Sequence, residues 1–315
     1  MASMITMFLQ SAYSMIDGLF VSNLIGDTAL SAVNVAWPII AVVTAIGTGV
    51  GCGGAVMMST KQGEGKNEES NIVRANVILA LLASSIVITI LFLILLTPLL
   101  KLMGAEGELL RLSQIYGRVM LTGGVLQILS CGLTPLLRND NRAVSAMMIM
   151  VGGLFVNLGL DFVFMYVFHM GIGGAAGASL CAQLFTTLCC LIILGTKKTD
   201  PIRFSQFIIR KEYWKKIFKT AVSPFGISLT PSLLILYHNV ASLKFGGDLA
   251  VNAYALISST VGSYRVLLIG VAEGIQPLAS YAYGAHDFHA IRKIRNKAVI
   301  TAPLESSSCS QSNGA

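Results

Sequence analysis

Charge is the scarcest ingredient of this chain. Only 12% of its residues are charged while 54% are hydrophobic, and a soluble domain carries roughly 25% charged residues. The shortage excludes an ordinary water-soluble fold. It is also local: Leu79 to Leu100 is a 22-residue run without a charge, and Val119 to Leu137, Ala143 to Leu160 and Gly171 to Thr196 are equally clean. A bilayer crossing takes about 20 such residues, so each run reads as a spanning helix.

Chemical signatures are missing too. Of the six cysteines, Cys52, Cys131, Cys181, Cys189 and Cys190 lie in apolar runs, only Cys309 lies outside them, and no CxxC pair occurs. Zinc and redox spacing are therefore absent, and the cysteines read as small core residues. No HExxH, GxSxG or P-loop pattern is present, which argues against an enzyme and against an enzyme cofactor. The net charge of +7 has no aromatic platform beside it, so a nucleic-acid partner is not expected. The first apolar segment is followed by seven more, and no secretory signal peptide needs to be invoked.

What the chain does have is an all-α pattern of about eight spans, near 3–24, 30–60, 72–98, 110–136, 143–168, 172–196, 221–245 and 250–282. Glycine is concentrated inside them, as at Gly47, Gly49, Gly51, Gly53 and Gly54. Small residues there let membrane helices approach closely. The connections alternate in charge: 17 of the 22 basic residues fall on one side, at Lys61, Lys66 and Arg74, at Arg138 and Arg142, in the stretch 197–219, and from Arg292 to Lys297. The basic side is expected to be cytoplasmic, which puts the N-terminus there as well. Residues 201–220, with Tyr213, Trp214 and Phe218 among basic residues, read as an amphipathic interfacial linker.

A repeat runs through the sequence at an offset of 221 residues. Gly26-Asp27-Thr28-Ala29-Leu30-Ser31-Ala32 is matched by Gly247-Asp248-Leu249-Ala250-Val251-Asn252-Ala253. At the same offset Gly49 meets Gly270, Gly53 meets Gly274, Ser59 meets Ser280 and Gly63 meets Gly284. Six helices separate the copies, so both face the same way, and parallel repeats of this kind are characteristic of transporters whose halves rock about a central cavity. The expected organisation is a first six-helix lobe over 1–200, the linker over 201–220, an incomplete second lobe over 221–303 and a polar tail over 304–315. The second copy can be followed only to about residue 300, and the tail from Glu305 to Ala315 breaks an incipient helix. A truncated or frameshifted reading frame is the expectation.

An acid within a span costs at least ~2.5 kcal/mol and needs a partner or a purpose. Asp17 and Asp161 each lie seven residues before the outer end of their helices, about 10 Å deep at the helical rise. Asn157 shares a face with Asp161, and Ser179 in the sixth span enters from the same side. Hard oxygens of this kind suit a sodium ion, and two neighbouring carboxylates also hold a proton, so the cluster fits either. Two separate helix-end acids at interfacial water is the plainer alternative. Opposite Asp17 in the repeat stands His238, beside Tyr237, able to meet substrate or proton or simply to bond within the core. Arg265 and Glu273 are eight residues apart on one face, either a compensating pair or an acid that attracts a cationic substrate. These four outline a candidate substrate cavity. The loop Gly284 to His289 has two His and an Asp, and reads as solvated rather than metal-binding.

Taken in order, several segments resemble the bacterial branch of the multidrug and toxic compound extrusion (MATE) family. They are Tyr13 to Val21, the paired Gly-Asp-x-Ala segments, Leu137-Arg138-Asn139-Asp140, Asn157-Leu158-Gly159-Leu160-Asp161, Gly173 to Ala178, Glu273-Gly274-Ile275-Gln276-Pro277 and Tyr283-Gly284-Ala285. The resemblance implies a polytopic helical membrane protein: one six-helix lobe followed by about two helices of a second, where the family has twelve helices. It implies a monomer in the bacterial plasma (inner) membrane that exports organic cations or drugs in exchange for sodium ions or protons. It also assigns the first-lobe cation site to Asp17, Asn157 and Asp161, with Ser179 nearby. The alternatives are a lipid-linked oligosaccharide flippase of the same two-lobe plan, which calls for a strongly cationic cavity, and an inactive transporter fragment.

Overall fold

A computed structural model describes residues 27–196, 206, 207 and 209–299; Asp17 and the tail 304–315 lie outside them. All regular structure among the described residues is helical: α1 (Asp27–Gly63), α2 (Asn67–Leu102), α3 (Gly107–Thr122), α4 (Gly124–Asn139), α5 (Ala143–Asp161) with a π-helical extension (Phe162–Val167), α6 (Gly171–Gly195), α7 (Lys211–Gly284) and α8 over 288–299. Among these residues four helices are long and apolar enough to cross a membrane, and the α3–α4 pair makes a fifth span if taken together. Large apolar side chains such as Ile86, Val87, Ile90 and Ile94 of α2 point outward, more than half exposed. Such a surface suits lipid rather than water.

α1 lies at the centre and packs on α2, α3, α4 and α7. Its glycines explain how. A Cβ on Gly51 would come within 2.4 Å of the Gly132 backbone in α4, one on Gly53 within 2.7 Å of the Ala221 backbone in α7, and one on Gly54 within 2.2 Å of Val77 in α2. The glycine run thus opens three faces of one helix to three neighbours.

Two elements depart from the expected spans. The segment expected as one helix over 110–136 breaks at Gly123, and α3 and α4 meet at 57°. The Gly123–Gly124 pair is the cause. Side chains from other helices fill the space where their Cβ atoms would sit, Leu180 at 2.2 Å and Thr89 at 2.5 Å, and helices bend where glycines pair. The two helices expected over 221–245 and 250–282 are joined: the backbone stays helical from Lys211–Gly284. That element cannot be straight. Gly53 of α1 touches Ala221 and Gly63 touches Gly284, yet ten residues of α1 span ~15 Å and the 63 residues of α7 would span ~95 Å if extended. α7 therefore doubles back, and the two expected helices survive as its two arms.

The repeat reappears as geometry. A Cβ on Gly63 would lie 2.1 Å from the carbonyl oxygen of Tyr281, and one on Gly284 would lie 2.0 Å from that of Thr60. Thr60 and Tyr281 are themselves 221 apart, so the two contacts are mirror images under the repeat. This is the pattern of a two-fold interface, with its axis passing between the two glycines at the basic end of the bundle. The loop beyond α1 is tied by Glu64, which accepts from Lys61 and Lys66 at 2.9 and 3.0 Å. Hydrogen bonds from the two ammonium groups hold its carboxyl down at about 2.

A side chain at either axial glycine must push the helices apart. Gly63→Val and Gly284→Val are each expected to lower the thermal unfolding midpoint of the purified protein, by a stability loss of about 1–3 kcal/mol for overpacking. Gly226→Ala, where nothing lies within 4 Å of a new Cβ, leaves it unchanged. Equal midpoints for all three variants would contradict the axial contact.

Candidate ion site and inter-lobe latch

Asp161 closes the regular part of α5 and is fully buried, at 0% exposure. One turn earlier Asn157, also buried, donates from Nδ2 to Asp161 Oδ2 at 3.0 Å. The helical spacing places both on one face, as expected. Immediately beyond, the helix widens into the π turn: Phe168 N–H reaches back to Val163 O at 3.0 Å and Met170 N–H to Phe164 O at 2.9 Å. Such widened turns often mark functional positions. Ser179 is half-buried near the start of α6, the helix that packs along α5 and the π turn. The fourth member, Asp17, lies outside the described residues.

The four residues outlined as a substrate cavity differ in their surroundings. Tyr237 is 70% exposed. His238 Nδ1 lies 2.8 Å from Leu234 O on its own helix. Arg265 is exposed. Glu273 does not pair with Arg265: its carboxylate takes a charge-assisted hydrogen bond from the guanidinium of Arg138, at the end of α4. The reason is geometric, since eight residues along a helix are ~12 Å, whereas α4 brings Arg138 directly against α7.

That pair belongs to a wider polar seam. Asn139 donates to Gln276 Oε1 at 3.3 Å and accepts from Ser59 Oγ at 2.9 Å. Thr60 Oγ1 reaches Ser280 O at 3.5 Å. Beneath it Arg74 of α2 faces Asp140 at 3.5 Å, both side chains 1% exposed, and Gln62 donates to the same carboxylate at 3.3 Å. Arg74 and Arg138, which sequence position puts among solvent-facing loop charges, are thus buried and paired. The signal was present in one respect: Arg138 follows directly on an uncharged run, with no loop residue between.

A MatE family profile matches residues 2–163. The chain is 25% identical over 282 residues to a multidrug export protein, MepA, of Staphylococcus saprophyticus, covering 89% of this chain and 62% of the relative. To the MepA of Staphylococcus aureus strain N315 it is 25% identical over 305 residues, 96% of this chain and 66% of that one. The chain thus spans somewhat under two thirds of the length of these relatives. Among solved structures, an outward-facing multidrug resistance MATE family transporter superposes with a TM-score of 0.90 at 26% identity, over 98% of this chain and 69% of that one. A MATE protein in its bent conformation gives 0.89 at 26% identity, over 98% and 70%. Because the profile spans more than half of the 315 residues and the fold is shared with solved members, the chain belongs to the multidrug and toxic compound extrusion family.

Proposed function

We propose that this chain is the first lobe, and the opening of the second, of an efflux antiporter that exports cationic, partly apolar drugs in exchange for sodium ions or protons. The observation that carries the reading is Asp161, a carboxylate with no exposed surface inside a spanning helix, held by Asn157. In this reading residues 1–200 form the first lobe, 201–220 a linker, 221–303 the start of the second lobe and 304–315 a tail. The excess of Lys and Arg places the basic end in the cytoplasm, with the N-terminus on that side, in a bacterial plasma membrane. A monomer suffices in this reading, because one full-length polypeptide supplies both lobes.

A coupling ion entering from outside binds Asp161, Asn157 and Asp17, with Ser179 close by. Carboxylate and amide oxygens are hard ligands that suit sodium, and a buried carboxylate equally takes a proton. Asp161 lies 18 residues from the start of α5, ~27 Å from the basic end. At that end the Arg138–Glu273 pair, Asn139–Gln276 and the axial glycines hold the lobes together. The arrangement is closed toward the cytoplasm, and drug loading from inside requires the latch to part. Ion and drug exchange only if each prefers a different arrangement of the lobes. Tyr237, His238 and Arg265 line the drug path only after such a rearrangement. The flippase alternative calls for a strongly cationic cavity, whereas Arg74 and Arg138 each face a carboxylate.

Asp161→Asn keeps the size of the side chain and removes its charge. In cells expressing the full-length transporter, ion-driven efflux of a fluorescent cation is expected to fall by about 5–150-fold, the usual span of a coupling interaction. Efflux at the parental rate refutes the site.

Breaking the latch leaves one buried charge alone, at a cost of about 3–5 kcal/mol, whereas replacing both partners with apolar residues is close to neutral. Glu273→Gln or Arg138→Met is therefore expected to open the basic end, read as a longer spin-label distance between Gln62 and Ala285. The double variant R138M/E273M returns the distance toward the parental value. A distance unmoved in all three denies the latch a role in closure.

A further inference from the structure

A lateral groove of about 490 Å³ lies between α1, α2 and the first arm of α7, and none of the acid-site or latch residues lines it. Gly49 and Val50, Val87 and Ile88, and Phe218 and Phe225 form its three walls. The groove opens sideways, since Val87 is 63% and its neighbour Val222 68% exposed. The indole donor in its lining, Trp214 Nε1, is already engaged with Asn76 Oδ1 at 3.2 Å, an oxygen that also accepts from the Arg210 amide at 3.1 Å. Apart from the Ser84 hydroxyl, the lining offers a polar drug little to bind. It suits a hydrocarbon chain.

The mouth has the opposite character. Lys211 and Lys215 lie on the same face of α7 as Phe218 and Val222, at the spacing of successive turns, and both lysines are exposed. Residues 210–219 hold five basic side chains against one acid, Glu212. The N-terminal end of the α7 dipole adds positive potential. An interfacial tryptophan fixed at the junction between apolar groove and basic mouth marks the headgroup level.

We propose that this groove is a binding site for one anionic phospholipid of the leaflet on the basic side, with an acyl chain along Val87, Ile88, Phe218 and Phe225 and the phosphate between Lys211 and Lys215. Long basic side chains bury their stems on the chain and keep their charge at the headgroup. Only the naming of the leaflet rests on the orientation proposed above, so the lipid site can stand if the transport reading fails. The bound lipid joins the first lobe to the first arm of α7, since Gly49 and Gly53 also contact Phe225 and Ala221 there.

The test uses the full-length transporter in phosphatidylcholine nanodiscs containing a trace of phosphatidylglycerol or phosphatidylcholine with a photoreactive acyl chain. The phosphatidylglycerol probe is expected to label peptides covering 83–88 and 218–225. Val87→Trp and Val222→Trp, both at exposed positions and therefore expected to leave the melting temperature unchanged, reduce labelling by both probes. The double variant K211Q/K215Q is expected to cut phosphatidylglycerol labelling about tenfold, two lysines at a membrane surface being worth at least that, while phosphatidylcholine labelling stays constant. Equal labelling of the parental protein by the two headgroups overturns the proposal. So does displacement by a fluorescent cation, which would make the groove a drug site, or absence of label where further helices of the full-length protein cover the groove.

Discussion

Backbone meeting backbone through glycine is the constraint from which the rest of this arrangement follows. Lipid gives helices no hydrophobic reason to associate, so contact must come from close packing and from hydrogen bonds. α1 meets this demand on several sides at once, with Gly51 against Gly132, Gly53 against Ala221 and Gly63 against Gly284. Only after those contacts bring α4 and α7 to α1 can Arg138 reach Glu273, and only then do Asn139, Ser59 and Gln276 fall within hydrogen-bonding distance. The polar seam is a consequence of the glycine packing.

The same order governs the charges. In hydrocarbon, an ion without a partner is costly, and breaking a buried pair costs more than the pair contributes. Among the described residues, Arg74 with Asp140 and Arg138 with Glu273 stand at the basic end, while Asp161 stands ~27 Å along α5 in the company of Asn157. Arg74 and Asp140 tie α2 to the end of α4. Arg138 and Glu273 join α4 to α7. The acid of the second pair is the more exposed, 22% at the side chain, so water reaches that pair more readily than it reaches Arg74 and Asp140, each 1% exposed.

Much of this was legible in the sequence because it depends on composition and local spacing. The uncharged runs announced α2, α5 and α6; the four-residue interval between Asn157 and Asp161 announced their contact; the offset of 221 announced the two-fold arrangement, down to Gly63 and Gly284. What could not be read was partner choice across elements. Glu273 has Arg265 eight residues away in sequence, but its partner is Arg138, 135 residues distant. Arg74 and Arg138 look like loop charges because a loop follows soon after each, and only packing shows that α1 and α7 close over them. The bend at Gly123 was written in a glycine pair, yet glycine pairs also occur unbent, as at Gly53–Gly54 inside α1.

The repeat also explains why the two copies agree where they do and differ where they do. Near a two-fold axis each residue faces its own counterpart. Glycine against glycine satisfies that condition, as do Thr60 and Tyr281 offering their carbonyls, so both copies carry the same packing positions. A charge cannot face its own copy without repulsion. An ion pair close to the axis must therefore break the symmetry, and here it does: the counterpart of Glu273 is Cys52, a free thiol close enough to feel both Glu273 and Arg138. The same divergence sets His238 where the first copy has Asp17. A duplicated transporter can keep its pivot symmetric, but it can acquire a latch or an ion site only by letting the two halves differ in charge.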